Sequence, residues 1–341
     1  MTQINKYNEA TRALSDPMHV CSRYDSNLND IGITKKPEKS LVKNFFESWL
    51  MYMDGPAHKL LRKRVAYCLR MCGNLNLSEA LTLLDNNNCA SSLDKATIVR
   101  VVAAWHRELF GLTNAQQLVF LDLCRPLANF QHHGISEQNM PYLENSVANL
   151  EKWFQSQNFI TGRAFNIMQT NGLSAFTCMG IAMDSFEPVF CALNNLLYTA
   201  SESPEQLFNT NDDVFISEAI AINPPFARII RRNTSLDAAK DRVVIDVQSC
   251  NTDICDGILM NTKADVKTHR SLSFGYGLHG CLGAHLVSEF LLTVLKQVKK
   301  TWQHEDPTKM QQLYCDGKFL NVSDLSGSFR KYVLKAINRN N

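Results

Sequence analysis

Apolar residues along most of this chain recur every three or four positions, the spacing of a helix with one buried face. Residues 93–111 (LDKATIVRVVAAWHRELFG) put Ile98, Val101, Val102, Trp105 and Leu109 on one stripe. The segments 114–130 and roughly 137–157 are amphipathic in the same way. Residues 174–201 are apolar almost all round, which predicts a helix buried on most sides. Pro188 inside it predicts a kink, because proline gives up one ladder hydrogen bond. Residues 282–300 align Val287, Phe290, Leu291, Val294 and Val298, then end on Lys299-Lys300, charges that suit a helix C-terminus. Strand signals are few: Arg228–Arg232 after Pro224-Pro225, Val243–Val247, and the tail near Tyr332–Leu334. The expectation is a mainly α fold with a small β component, in a single domain over 1–341, with no linker and no internal repeat.

Composition narrows the function classes. The 341 residues carry 35 Lys and Arg against 33 Asp and Glu, a net charge of +2. So balanced a charge argues against nucleic acid or anionic lipid as partner. The first residues, MTQINKYNEA, are polar, and no uncharged apolar run approaches the ~18 residues of a membrane span. The expectation is a soluble cytoplasmic protein without a membrane role.

Eleven cysteines are scattered without any CxxC pair, so neither a zinc site nor a dithiol redox site is indicated. Most lie among Leu, Val and Ala, where a thiol packs as a small hydrophobe. Cys281 differs. It sits in Phe274-Gly-Tyr-Gly-Leu-His-Gly-Cys-Leu-Gly283, four glycines in ten residues just ahead of a helix. Such a loop can turn sharply and lie flat against a ligand, and a helix start favours a thiolate. Three readings stay open on chemistry alone: a metal ligand, a nucleophile assisted by His279, or a buried thiol in a turn.

The longer stretch FGYGLHGCLGAHLVSE resembles the cytochrome P450 signature FxxGxxxCxG, matched at Phe274, Gly277, Cys281 and Gly283 and continuing through Ala284 and Glu289. Other stretches resemble the family in its own order. Tyr7–Pro17 is similar to its B helix. Met53-Asp-Gly-Pro-Ala-His58-Lys-Leu-Leu-Arg62 is similar to its C helix, and Asn223–Arg231 to the turn and strand after its K helix. Val247-Gln-Ser-Cys-Asn-Thr-Asp253 resembles its SANRD-type segment, and SDLSGSFRKYVLKA its last strands.

The resemblance implies the P450 fold, with a long central helix crossing haem b (iron protoporphyrin IX). It implies Cys281 as the iron's thiolate ligand, and Phe274 and Gly283 lying against the macrocycle. His58, Arg62, Arg231 and His279 then fall where the family holds the propionates. The i, i+4 spacing of His58 and Arg62 puts both on one helix face. Met183, Phe226 and Ala227 fall on substrate-lining positions. The implied activity is oxidation of a small organic molecule, a biosynthetic intermediate, by iron-oxo chemistry. Electrons would come from a separate ferredoxin or flavoprotein, and a carrier protein or a second copy of the chain are further expected partners. His132-His133 are expected on a loop over the substrate channel, without a metal role.

Three departures from the pattern matter. The chain begins at the B helix, so the domain is expected to lack the family's N-terminal helix and hairpin. The ExxR motif reads Glu218-Ala-Ile-Ala221. Removing one partner of a buried ion pair costs roughly 3–5 kcal/mol, so Glu218 must be paired otherwise, hydrated or exposed, with Arg270 as a candidate partner. Finally, Asp184-Ser-Phe-Glu-Pro188 aligns with the family's Gly-Gly-x-Asp/Glu-Thr, placing Glu187 at the acid position and Pro188 at the alcohol. An alternative register puts Asp184-Ser185 on that pair. Two other function classes therefore stay open: a haem-thiolate peroxygenase, dehydratase or isomerase, and a non-catalytic haem-binding or docking protein.

Overall fold

The computed structural model describes residues 1–21, 40–85, 93–133, 138–236, 241–255, 271–302, 319–320, 322–325 and 327–338. Its elements in chain order are β1 (Thr2–Ile4), α1 (Tyr7–Ser15), β2 (His19–Val20), α2 (Leu41–Glu47), α3 (Gly55–Arg70), α4 (Ser78–Asp85) and α5 (Lys95–Phe110). Then come α6 (Asn114–His133), α7 (Met140–Ser156), α8 (Ala164–Thr170), α9 (Ala175–Glu202), α10 (Pro204–Asn209) and α11 (Asp212–Ile222). The last are β3 (Arg228–Asn233), β4 (Arg242–Asp246), α12 (Val247–Cys255), α13 (Ala284–Trp302) and α14 (Gly327–Asn338). The described residues are mainly helical with one small sheet, as the hydrophobic periodicity predicts.

The chain forms two compact units. One comprises Met1–Val20, Leu81–Ile98 and Pro188–Asp324. It holds the sheet, in the order β1-β4-β3-β2, with β1 parallel to β4 and the other pairs antiparallel. The β-branched runs RIIRRN and RVVID suit these strands. Their register pairs Arg231 with Val243 and Ile229 with Ile245. Because side chains alternate across a strand, Arg231 lies on the same face as Ile229 and Ile245. That face packs on Tyr7, Ala10 and Leu14 of α1 and on Leu272 and Tyr276. The start of α1 is held by Asp253, whose carboxylate accepts from the Tyr7 N–H at 3.1 Å and pairs with Lys6 at 2.8 Å.

The other unit comprises Cys21–Ala80, Val99–Glu187 and Leu325–Asn341. Its core is aromatic. Phe45 meets Phe46, Trp49 and Phe176 edge to face, at ring distances of 5.6, 5.2 and 5.8 Å. A second set joins Phe110, Phe120, Phe154 and Phe159 around Phe165. Each such pair adds about 0.5–1.5 kcal/mol to the burial of its area. At the start of α2 the Ser40 Oγ accepts from the Lys43 N–H, while the Glu144 carboxylate from α7 accepts from the Leu41 N–H.

Two expectations are corrected. The tail segment Tyr332–Leu334 lies in α14, a helix. Phe329, Val333, Ala336 and Ile337 are buried at helical spacing, so the 3.6-residue period overrides the β preference of a short Tyr-Val pair. His132-His133 end α6, where a loop was expected. Helix α9 runs through Pro188 without ending. By length and apolarity it could cross a membrane, yet 78% of its most apolar window is buried inside the protein.

Candidate functional site

The cysteine loop belongs to the unit that carries the sheet. Its N-terminal end is fixed by buried polar groups. The Asn251 side chain of α12 donates to the Ala221 carbonyl of α11 at 2.9 Å and to the Ser273 Oγ at 3.1 Å, and accepts from the Leu272 N–H at 2.9 Å. Ser273 in turn donates to the Ile220 carbonyl at 2.8 Å. The loop then closes on itself, the Cys281 N–H donating to the Phe274 carbonyl at 2.6 Å. Gly275 and Gly277 take the left-handed conformation at φ 67° and 63°, which favours glycine. A Cβ on Gly277 would come within 2.9 Å of the Leu14 carbonyl oxygen, so close approach to α1 also requires glycine there.

The loop holds Cys281 at the surface. The seven other described cysteines whose burial is known (Cys21, Cys68, Cys72, Cys124, Cys178, Cys191 and Cys250) are buried, and Cys281 is exposed. Burial pushes the Cys178 thiol up to about 12 and the Cys72 thiol to about 11, which makes them inert packing groups. Helix α13 begins at Ala284, with its first turn closed by the Val287 N–H on the Gly283 carbonyl. Cys281 therefore precedes the helix by a turn, and its presentation owes more to the loop than to the helix start. His279 and Phe274 are half-buried on the same loop. A Cβ on Gly283 would meet no protein atom within 4 Å. The protein's own packing thus gives no reason for glycine at 283, whereas a flat group lying against the Cys281 thiol would. An accessible thiol on a rigid loop with open space at the next glycine fits the haem-thiolate donor set.

The remaining sequence-derived candidates fall as follows. Arg231 is half-buried on the sheet face that packs against the loop's Leu272 and Tyr276, and its Nη1 donates to the Ile230 carbonyl at 2.9 Å. Phe226 is exposed and Ala227 half-buried, in the turn between α11 and β3. In the other unit, His58 is buried on α3, with Arg62 half-buried one turn on. Met183 and Glu187 are both 5% exposed on α9, and Pro188 is half-buried. Glu218 is half-buried on α11, and burial alone raises its carboxyl above the ordinary range. Among the described residues it has no ion-pair partner; Arg270 lies outside them, as do the side chains of His132 and His133.

Two residues that contact α9, Trp49 and His106, had no signal in the sequence reading. Trp49 donates its indole N–H to the Asp184 carboxylate at 2.5 Å. Ser185 donates to the Ala182 carbonyl at 2.8 Å, and His106 lies 3.2 Å from the same carbonyl. These engagements tie up both members of the alternative Asp184-Ser185 register. All three are long-range or backbone contacts that no periodicity encodes.

No family model and no curated protein matches this sequence. Solved structures do match. P450BioI, solved in complex with an acyl carrier protein ligated to hexadec-9Z-enoic acid, is 14% identical at a TM-score of 0.66, over 89% of this chain and 85% of that one. CalO2 is 16% identical at 0.66, over 86% and 81%. Ligand-free CYP164A2 of Mycobacterium smegmatis is 15% identical at 0.64, over 89% and 84%. With 86–89% of its length covered by such matches, this chain has the cytochrome P450 fold.

Proposed function

We propose that the protein is a haem-thiolate oxidoreductase acting on a small organic molecule. The observation that carries this is the contrast among the cysteines: one exposed thiol on a pinned glycine loop, the others of known burial packed inside. When bound, haem with a cysteine ligand supplies oxidation chemistry, the thiolate favouring O–O cleavage. Cys281 would hold the iron, Phe274 and Gly283 would lie against the macrocycle, and His58, Arg62, Arg231 and His279 would pair with the propionates, cations suited to carboxylates. Met183, Phe226 and Ala227 supply apolar surface for a substrate.

Glu187 is the residue assigned to hold and deliver a proton. Its place in a buried, mostly apolar helix keeps that carboxyl away from bulk water. Pro188 offers neither hydroxyl nor N–H, and the nearby Ser185 hydroxyl is committed to the Ala182 carbonyl. This favours a second reading, a peroxide-driven enzyme, in which one acid suffices. A separate electron donor is supported by the exposed face of α3. There Lys59, Lys63 and Arg70 flank Leu60, Tyr67 and Met71, a basic rim around an apolar patch suited to an acidic ferredoxin or flavoprotein. A carrier-bound substrate, as in the P450BioI complex, is a further proposal.

The test is spectroscopic. Haem-reconstituted protein, reduced under CO, is expected to give a thiolate-type Soret band that Cys281→Ala abolishes. An unchanged band in Cys281→Ala would overturn the ligand assignment. Turnover supported by hydrogen peroxide, compared with NADPH and a redox partner, then separates the two enzymatic readings.

A further inference from the structure

His106 of α5 is fully buried, and no role above uses it. Its ring packs against Phe110 and Phe186 at 4.7 and 5.5 Å. Its polar neighbours settle its tautomer. The Arg107 Nη1 donates to the Gln117 Oε1 at 2.8 Å, so the Gln117 amide nitrogen points the other way. That nitrogen donates to the Ala103 carbonyl at 3.0 Å and lies 3.2 Å from the His106 Nδ1. An amide nitrogen only donates, so Nδ1 accepts and the proton resides on Nε2. The Nε2–H donates to the Ala182 carbonyl of α9 at 3.2 Å. Arg107 is held in turn by Glu79, whose carboxylate offsets the burial that disfavours the guanidinium charge. The series Glu79, Arg107, Gln117, His106, Ala182 lies within one unit. It does not conduct protons, since neither a guanidinium nor an amide releases one near neutral pH. Its outcome is a fixed donor aimed at one carbonyl.

That carbonyl stands at a weak point of the helix. Two side chains, His106 and Ser185, donate to it. Off-ladder donors draw a carbonyl away from its ladder partner and bend the helix. Two residues on, Pro188 brings no N–H to the ladder position facing the Asp184 carbonyl. The residues around this turn are held too: Asp184 by the Trp49 indole, and the Gly180 backbone against that same ring, where a Cβ would come within 2.8 Å.

We propose that His106 is a positioning residue whose Nε2–H, fixed in that tautomer by Gln117, sets the turn of α9 that carries Met183 and Glu187. Its meaning for catalysis rests on the haem-thiolate reading; its hold on the helix does not. Two variants separate the hydrogen bond from the packing. His106→Leu keeps apolar bulk and removes the donor, and His106→Gln keeps an amide donor. In the haem-free protein, amide exchange at residues 183–187 is expected to rise about tenfold in His106→Leu, with α13 unchanged, and to return near wild type in His106→Gln. Wild-type exchange in His106→Leu, or equally fast exchange in both variants, would overturn the proposal. In haem-loaded protein the thiolate-type band should persist in both variants. Peroxide released per NADPH consumed should rise several-fold in His106→Leu and recover in His106→Gln. Should the wild type lack that band, the haem reading fails, while the exchange data still decide the hold of His106 on α9.

Discussion

The backbone N–H of Cys281 donates to the carbonyl of Phe274 at 2.6 Å, so the residue that opens the glycine loop also fixes the main chain that carries the thiol at its end. The bond can form only because the chain between them turns through two left-handed glycines. The conformation of the loop is therefore a property of the protein before any ligand arrives.

Gly277→Ala is expected to destabilise the protein by roughly 2–4 kcal/mol, from left-handed strain and the clash with Leu14. Gly283→Ala should leave stability unchanged, since its Cβ meets no protein atom, yet weaken haem binding. Chemical denaturation and haem titration of both variants provide the check. Equal haem affinity in Gly283→Ala and wild type would argue against haem lying on that glycine.

Asn251→Ala removes three hydrogen bonds that join α11, α12 and the loop, leaving the Leu272 N–H and the Ala221 carbonyl buried without that partner. The expected loss is about 3 kcal/mol in urea denaturation. A loss under about 1 kcal/mol would show that the loop is anchored by other contacts.

Glu218→Gln is expected to stabilise the protein at neutral pH. Burial raises the folded-state pKa of Glu218 above its unfolded value. A raised carboxyl favours folding less once it must ionise, so its penalty is present at neutral pH and fades as pH falls toward about 4. The variant should melt about 1–2 °C higher near neutrality, with no advantage in acid. Melting several degrees lower at neutral pH would mean that Glu218 has a cationic partner, as the ExxR pattern requires, with Arg270 the first residue to test.

How much of this was legible beforehand depends on the range of the interactions. Helices α5, α6, α7, α9 and α13 follow from the spacing of their apolar residues, because a helix repeats its buried face within one turn. The tail was misread for want of length: Tyr332–Leu334 suggests a strand, and only the wider set of Phe329, Val333 and Ile337 reveals the helix. Glu218 shows the opposite case. Its missing arginine is plain in the sequence, but its half-buried, desolvated state belongs to the folded α11.

By itself the sequence determined the helical class, the two strands after Pro224-Pro225 and the glycine loop around Cys281, since each is written in residues close along the chain. Tertiary structure alone decided that seven other thiols are buried while Cys281 is not. It alone brought Trp49 onto Asp184, Asn251 onto Leu272 and His106 onto Ala182. Those pairs are far apart in sequence, with no residue pattern linking one partner to the other. A hydrogen bond between them exists only once packing has fixed both ends within about 3 Å.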